Sequence, residues 1–257
     1  MLAAMSSPVL LAVRDRVATV TLNRPAVRNA LSREVLRLLP QLVEEADAAD
    51  DVDVIVLTGA DPAFCAGLDL AELASPPPAG AEPPPMAGRG PLPITDKPVI
   101  GAINGPAITG GFELALNCDF LVASDRAKFG DTHARVGVMP GWGLTVLLPQ
   151  AIGVRRAREM SYTGNFMSAQ EALQFGLVNH VVPHDELLPF TYRLAADIAG
   201  NDQAGVRQIR RTYAAVADDA AGWATEAADA AAWRQAAFDP AAVAARRAAI
   251  EARGRTQ

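Results

Sequence analysis

An α/β domain is the fold class this sequence predicts, on three observations. Short β-branched runs such as VIVLTG (54–59) and PVIGAI (98–103) alternate with segments of helical periodicity. With 257 residues, half of them hydrophobic, the chain has enough apolar surface to bury a large core. From His184 onward strand signals cease, and the sequence is Ala-, Arg- and Asp-rich with helical periodicity. The expected division is therefore a core over 1–182 and a helical region over 183–257.

The elements follow in order. Val9–Leu22 alternates around Asp15-Arg16 and predicts a β-hairpin. Ser32 is placed to cap a helix running to about Ala49, with Pro40 inside it as a source of a kink. Val52–Thr58 and Pro98–Ile103 read as buried strands. Between them, Ser75–Pro93 is a proline-rich stretch that lacks the donors for helix or sheet. It reads as a flexible surface loop that can also serve as a flap, because it follows a glycine turn. Gly111–Cys118 predicts a short buried helix and Phe120–Ala123 the next strand. Ser168-Ala-Gln-Glu171 is a capping box opening another helix.

Composition narrows the function. A formal net charge of -6 argues against non-specific nucleic-acid binding, which needs a basic face. No apolar run is long enough to span a bilayer, and MLAAMSSPVL lacks a basic n-region and a long apolar h-region. Either Met1 or Met5 can serve as the start. Two cysteines, Cys65 and Cys118, make no disulfide framework, so a reducing, cytoplasmic setting is expected. Cys65 reads as packing. His180 and His184 are four apart, but Pro183 spoils a helical metal pair, and no metal is expected. Neither a G-x-S-x-G elbow nor a phosphate-binding G-x-x-x-x-G-K-[ST] loop is present.

Two segments carry chemistry. In KPVIGAINGPAITGGFELALNCD (97–119), a Gly pair, Gly110-Gly111, opens an apolar stretch with a single carboxylate, Glu113. Glycine permits close approach of backbone to a ligand, and a helix start there offers free N–H groups. Glu113 adds an acid/base group whose pKa burial would push upward. In DPAFCAGLDL (61–70), a second glycine turn directly follows a buried strand. Its backbone can supply a second donor to an oxyanion.

These segments, with LNRPAVRNALS (22–32), FGDTHARVGVMPGWG (129–143) and EALQFGLVNHVV (171–182), resemble the crotonase, or enoyl-CoA hydratase/isomerase, family in order and spacing. The resemblance implies a repeated ββα spiral with a C-terminal helical part that mediates trimerisation, often as a dimer of trimers. It also implies an acyl-CoA thioester as substrate, with coenzyme A part of that substrate and no separate cofactor. By motif match the oxyanion donors are the N–H groups of Leu68 and Gly110. Leu68 is larger than the Ala common there and would narrow the pocket. Glu113 matches the first catalytic glutamate. Arg24, Arg28, Ala66, Asp69, Leu70 and Trp142 fall where family members bind CoA or the acyl group.

One departure stands out. The position of the family's second glutamate holds His133. A neutral imidazole there can accept a proton from water, and Asp131, two residues away, can orient it or act itself. The expected activity is hydration of a trans-2-enoyl-CoA. The alternatives are isomerisation, decarboxylation or thioester hydrolysis, or an acyl-CoA-binding protein without turnover.

Overall fold

The computed structural model describes residues 7–75, 90–217, 219–236 and 238–256. Met1, Met5 and most of the proline-rich stretch (76–89) lie outside the described residues.

β1 (Val9–Arg14) and β2 (Val17–Leu22) form the expected hairpin. Its turn residues Asp15 and Arg16 both have positive φ, 50° and 65°, which matches the twist of a two-residue hairpin. α1 (Arg33–Ala48) starts at Ser32, whose side chain accepts from the Val35 N–H, and it continues through the buried Pro40. β3 (Val54–Gly59) then leads to α2 (Leu70–Leu73). β4 (Val99–Ile103), β5 (Ala107–Ile108), α3 (Gly110–Leu116), β6 (Phe120–Ser124) and β7 (Lys128–Gly130) follow. Next come α4 (His133–Val136), α5 (Leu144–Ile152), α6 (Val154–Thr163), β8 (Phe166–Ser168), α7 (Ala169–Phe175) and β9 (His180–Val182). Both bonds of the Ser168–Glu171 capping box are present at α7. After β9 come α8 (Leu187–Ala199), α9 (Gln203–Ala217), α10 (Ala220–Ala236) and α11 (Pro240–Thr256).

Six strands form one sheet in the order β1-β2-β3-β4-β6-β9, antiparallel between β1 and β2 and parallel elsewhere. β3 and β4 are buried throughout because both faces are covered. Ile55 and Leu57 pack in the cluster that holds Val35, Leu39 and Val43 of α1. Val54 and Val56 pack instead with Leu187 and Ala195 of α8. A second sheet, β5-β7-β8, stands apart. An isolated parallel bridge, Cys65 to Ala107, ties the 61–70 turn to β5, and so brings both glycine segments side by side.

The helical region does not stay away from the core. On α10, the buried Glu226 accepts from the N–H groups of Gly143 (2.5 Å) and Thr145 (2.7 Å), and Trp233 donates through Nε1 to the Gly137 carbonyl at 3.0 Å. α11 packs against α2 and α4. Among the described residues no helix is long and apolar enough to cross a membrane.

Candidate active site

The two glycine segments meet at one wall of a cavity of about 1030 Å³. Leu31 and Leu68 form a parallel bridge: the Leu31 N–H donates to the Gly67 carbonyl (2.8 Å) and the Asp69 N–H to the Leu31 carbonyl (3.1 Å). That pairing turns the N–H of Leu68 itself away from Leu31, and Leu68 lines the cavity. Gly67, at φ 86°, makes the turn possible. A Cβ on it would stand 3.3 Å from the Gly110 nitrogen, so the two segments are in close contact.

Gly110 opens α3, where first-turn N–H groups have no intrahelical acceptor. The residue before it, Thr109, sits at φ 54° and ψ -116°, an outlying conformation for a β-branched side chain. It is held there by its N–H to the Gly130 carbonyl (2.8 Å) and its hydroxyl to that of Thr132 (2.5 Å). Among the described residues neither the Leu68 nor the Gly110 N–H has an acceptor.

Glu113 sits one turn along α3, buried and facing the same cavity. Its Oε1 accepts from the N–H groups of Trp142 (2.8 Å) and Gly141 (3.2 Å), which fixes the carboxyl group. Its Oε2 lies 3.3 Å from Nε2 of His133. The other imidazole nitrogen, Nδ1, is 2.6 Å from Oδ1 of Asp131, and that oxygen also accepts from the His133 backbone N–H at 3.0 Å.

Here the structure differs from the expectation of a neutral His133. His133 is the first residue of α4 and stands between two carboxylates. Burial alone would lower its pKa. The hydrogen bonds to Asp131 and Glu113, and the charges behind them, outweigh burial and raise it to about 9. Asp131 is buried too, which opposes its ionisation. Its bonds to His133 still hold its carboxyl below the usual range. Asp131 does not line the cavity, so it orients the imidazole and does not itself face a ligand.

The remaining predicted residues separate into two groups. Arg28, Ala66, Asp69, Leu70 and Trp142 line the cavity, as does Leu68. Among the described residues the Arg28 side chain has no hydrogen-bond or ion-pair partner, so its guanidinium is open to a phosphate. Arg24 stands apart from these. It donates to the Ala30 carbonyl (2.6 Å) and to Asp69 (3.1 Å) and does not reach the cavity. Asp69 in turn caps α2, accepting from the Ala71 and Glu72 N–H groups, so its carboxylate holds the wall together. Trp142 lies against Gly110: a Cβ there would meet the indole at 2.8 Å.

Cys65 is fully buried, and burial pushes its thiol up to about 12, in keeping with packing. His184 bonds Asp61 and Ser124, each at 3.0 Å, while the His180 ring packs at a tilt against Phe190. Sequence reading missed the far wall, where Trp233, Phe238, Ile250 and Arg247 of the helical region line the cavity. Trp233, Ile250 and Arg247 sit in Ala-rich helices with little contrast between faces, and Phe238 lies between α10 and α11. Their only signal was the presence of large side chains in an otherwise small-residue stretch.

Residues 13–238 match the family described as enoyl-CoA hydratase/isomerase. The chain belongs to that family. It is 42% identical over 194 residues to a probable peroxisomal enoyl-CoA hydratase of Arabidopsis thaliana, covering 76% of this chain and 73% of the relative. The crystal structure of an enoyl-CoA hydratase from Mycobacterium tuberculosis superposes with a TM-score of 0.81 at 50% identity, over 89% of this chain and 98% of that one. A monofunctional enoyl-CoA isomerase from M. smegmatis superposes with a TM-score of 0.70 at 33% identity, over 84% of this chain and 96% of that one. The fold is thus the crotonase fold, with its C-terminal helical region.

Proposed function

We propose that this protein is an enoyl-CoA hydratase, adding water to a trans-2-enoyl-CoA to give the 3-hydroxyacyl-CoA. One observation carries the reading. Glu113 and His133 meet at 3.3 Å in a cavity whose wall presents the two acceptor-free N–H groups of Leu68 and Gly110. A thioester oxygen bound by those donors is stabilised as it gains charge, and loss of one such donor typically costs about 10²–10³ in rate. Its α- and β-carbons then lie toward Glu113 and His133, where water must add. Arg28, Ala66 and Leu70 form the CoA side of the cavity, and CoA enters as part of the substrate. The hydratase names of the Arabidopsis and Mycobacterium tuberculosis proteins support the same reading.

A second reading rests on a specific observation. Among the described residues Glu113 is the one carboxylate in contact with the cavity face of His133, and a single base suits double-bond isomerisation. The deciding experiment is mass-spectrometric turnover of crotonyl-CoA beside a 3-enoyl-CoA. Water addition to crotonyl-CoA supports hydration; conversion of the 3-enoyl ester alone supports isomerisation; tight binding without turnover leaves an acyl-CoA-binding protein.

The proposal includes a cytoplasmic homotrimer or dimer of trimers. Supporting it, α9 exposes a row of Ile209, Tyr213 and Val216 at helical spacing, a face suited to burial between copies. Sedimentation velocity tests the assembly.

A further inference from the structure

Glu226 acts on the active site from the helical region without lining the cavity itself. It is buried on α10, and its carboxylate takes three bonds from the start of α5. Oε1 accepts from the Gly143 N–H (2.5 Å), and Oε2 accepts from the Thr145 N–H (2.7 Å) and the Thr145 hydroxyl. Trp223, three residues before Glu226 and so on the same face of α10, packs on Gly143 closely enough to leave no room for a Cβ there. Burying a carboxylate is costly unless hydrogen bonds compensate, so a helix that only had to pack here would do better with an apolar side chain.

The bonds of Glu226 go to the segment that holds Glu113. The two residues before Gly143 are Gly141 and Trp142, and both donate their N–H to Oε1 of Glu113. On the other side Asn117, at the end of α3, donates to the Trp142 carbonyl at 2.8 Å. Segment 141–145 therefore bridges α3, which carries Glu113, and α10. The same helix also reaches the neighbourhood of His133. Trp233 donates to the Gly137 carbonyl, and the Gly137 N–H bonds the His133 carbonyl at 2.8 Å.

We propose that Glu226 is a positioning residue for Glu113. By fixing the N–H groups of Gly143 and Thr145 it holds the Gly141 and Trp142 donors in place, and so sets the direction of the Glu113 carboxylate. The link to turnover rests on the hydratase reading; the link between α10 and the donors to Glu113 does not. A reacting group misplaced by about 1 Å can lose roughly a hundredfold in rate, so a loosened segment should show in kcat. Binding should be spared, because the Leu68 and Gly110 N–H groups and Arg28 belong to other segments.

Glu226→Gln keeps the shape of the side chain but turns one acceptor into a donor that faces a backbone N–H. It should lower kcat for crotonyl-CoA about tenfold, with KM changed less than about twofold. In a Glu113→Gln background the same substitution should lower the remaining rate by less than about twofold, since a residue that acts through Glu113 then has nothing left to position. Hydrogen exchange followed by NMR supplies a readout besides activity. The Gly141 and Trp142 amides should quicken roughly tenfold more than those of Ile55 and Leu57 in β3. Thr145→Val, which keeps the carboxylate and removes only the hydroxyl donor, should show the same pattern at about threefold, and it replaces the Gln variant if that one does not fold. Equal losses of kcat in the two backgrounds would overturn the proposal and leave Glu226 a packing residue. So would a folded variant with wild-type kcat, or one whose Gly141 and Trp142 amides gain no speed over those of β3. If the wild type hydrates no enoyl-CoA, the hydratase reading fails, and the exchange comparison alone decides whether Glu226 holds the donors to Glu113.

Discussion

The wall around Leu68 and Gly110 and the wall around His133 face the same cavity but are built by different means. At the first, the polar groups without an acceptor among the described residues are backbone N–H groups, and close packing sets their position. A Cβ on Gly67 would come within 2.8 Å of the Ile108 carbonyl, and one on Gly111 within 2.2 Å of the Cys65 carbonyl. At the second, the group facing the cavity is a side chain whose charge depends on two carboxylates from different parts of the chain. A backbone wall leaves its trace in the sequence as glycines at fixed spacing. A side-chain wall leaves only residue types, and its protonation emerges when the chain folds.

This contrast is open to disruption on each side. The largest effect is expected from Gly111→Ala. The new methyl would meet the Cys65 carbonyl and its Cβ, neither of them the free end of a flexible side chain. The cost should reach about 3 kcal/mol or more, at the upper end for overpacking, read by urea unfolding. A variant as stable as the wild type would show that the two glycine segments are not locked together.

Glu113→Gln should lower crotonyl-CoA turnover at least about a hundredfold, as expected for loss of a general base. Affinity for butyryl-CoA, a saturated ester, should change less than about threefold in calorimetry, because the donors to its oxygen are backbone groups. Near-normal turnover would exclude Glu113 from proton transfer.

The two arginines sharpen the comparison at smaller amplitude. Arg28→Ala should weaken butyryl-CoA binding roughly tenfold, in line with one charge-assisted contact to phosphate. Arg24→Ala should leave that affinity within about twofold and lower the melting temperature, since Arg24 joins Asp69 and the Ala30 carbonyl. The reverse pattern would return Arg24 to the CoA site.

The smallest effect is on stability against pH. The folded-state value of His133 is raised, so its contribution is full below about 6.5 and is lost as pH rises through about 9. Asp131 is lowered, so its contribution holds above the ordinary carboxylate range and is lost as pH falls through its folded value. The stability gap between wild type and Asp131→Asn should be wide at pH 7 and narrow at pH 10. A gap that does not narrow would separate the pair's charge from its fold.

Much of this was legible before folding. The hairpin at Asp15-Arg16, the caps at Ser32 and Ser168, and the buried strands rest on local chemistry, and they stand where the sequence places them. Of the residues expected to line the cavity, Glu113, Leu68, Gly110, Arg28 and Trp142 do so, because motif spacing carries them. The bond from Arg24 to Asp69, 45 residues away, was not legible because it is a tertiary event. The charge of His133 was hidden for the same reason: Glu113 and Asp131 converge on it only in the fold. Glu226 and Trp233 were hidden because helices α10 and α11 show little amphipathic contrast, so their return onto the core has no periodic signature.

The central claim is that Glu113 and His133 add water together. The pH dependence of kcat for crotonyl-CoA hydration, measured for the wild type and for His133→Gln, tests it most directly. The wild-type rate should hold through neutral pH and fall as pH rises through about 9, where His133 loses its proton. His133→Gln should be slower by about a hundredfold or more and lack that alkaline limb. A His133→Gln enzyme with wild-type rates and the same limb would contradict the account. So would a wild-type rate that falls as pH drops through ~6.5, which would mark His133 as a neutral base instead.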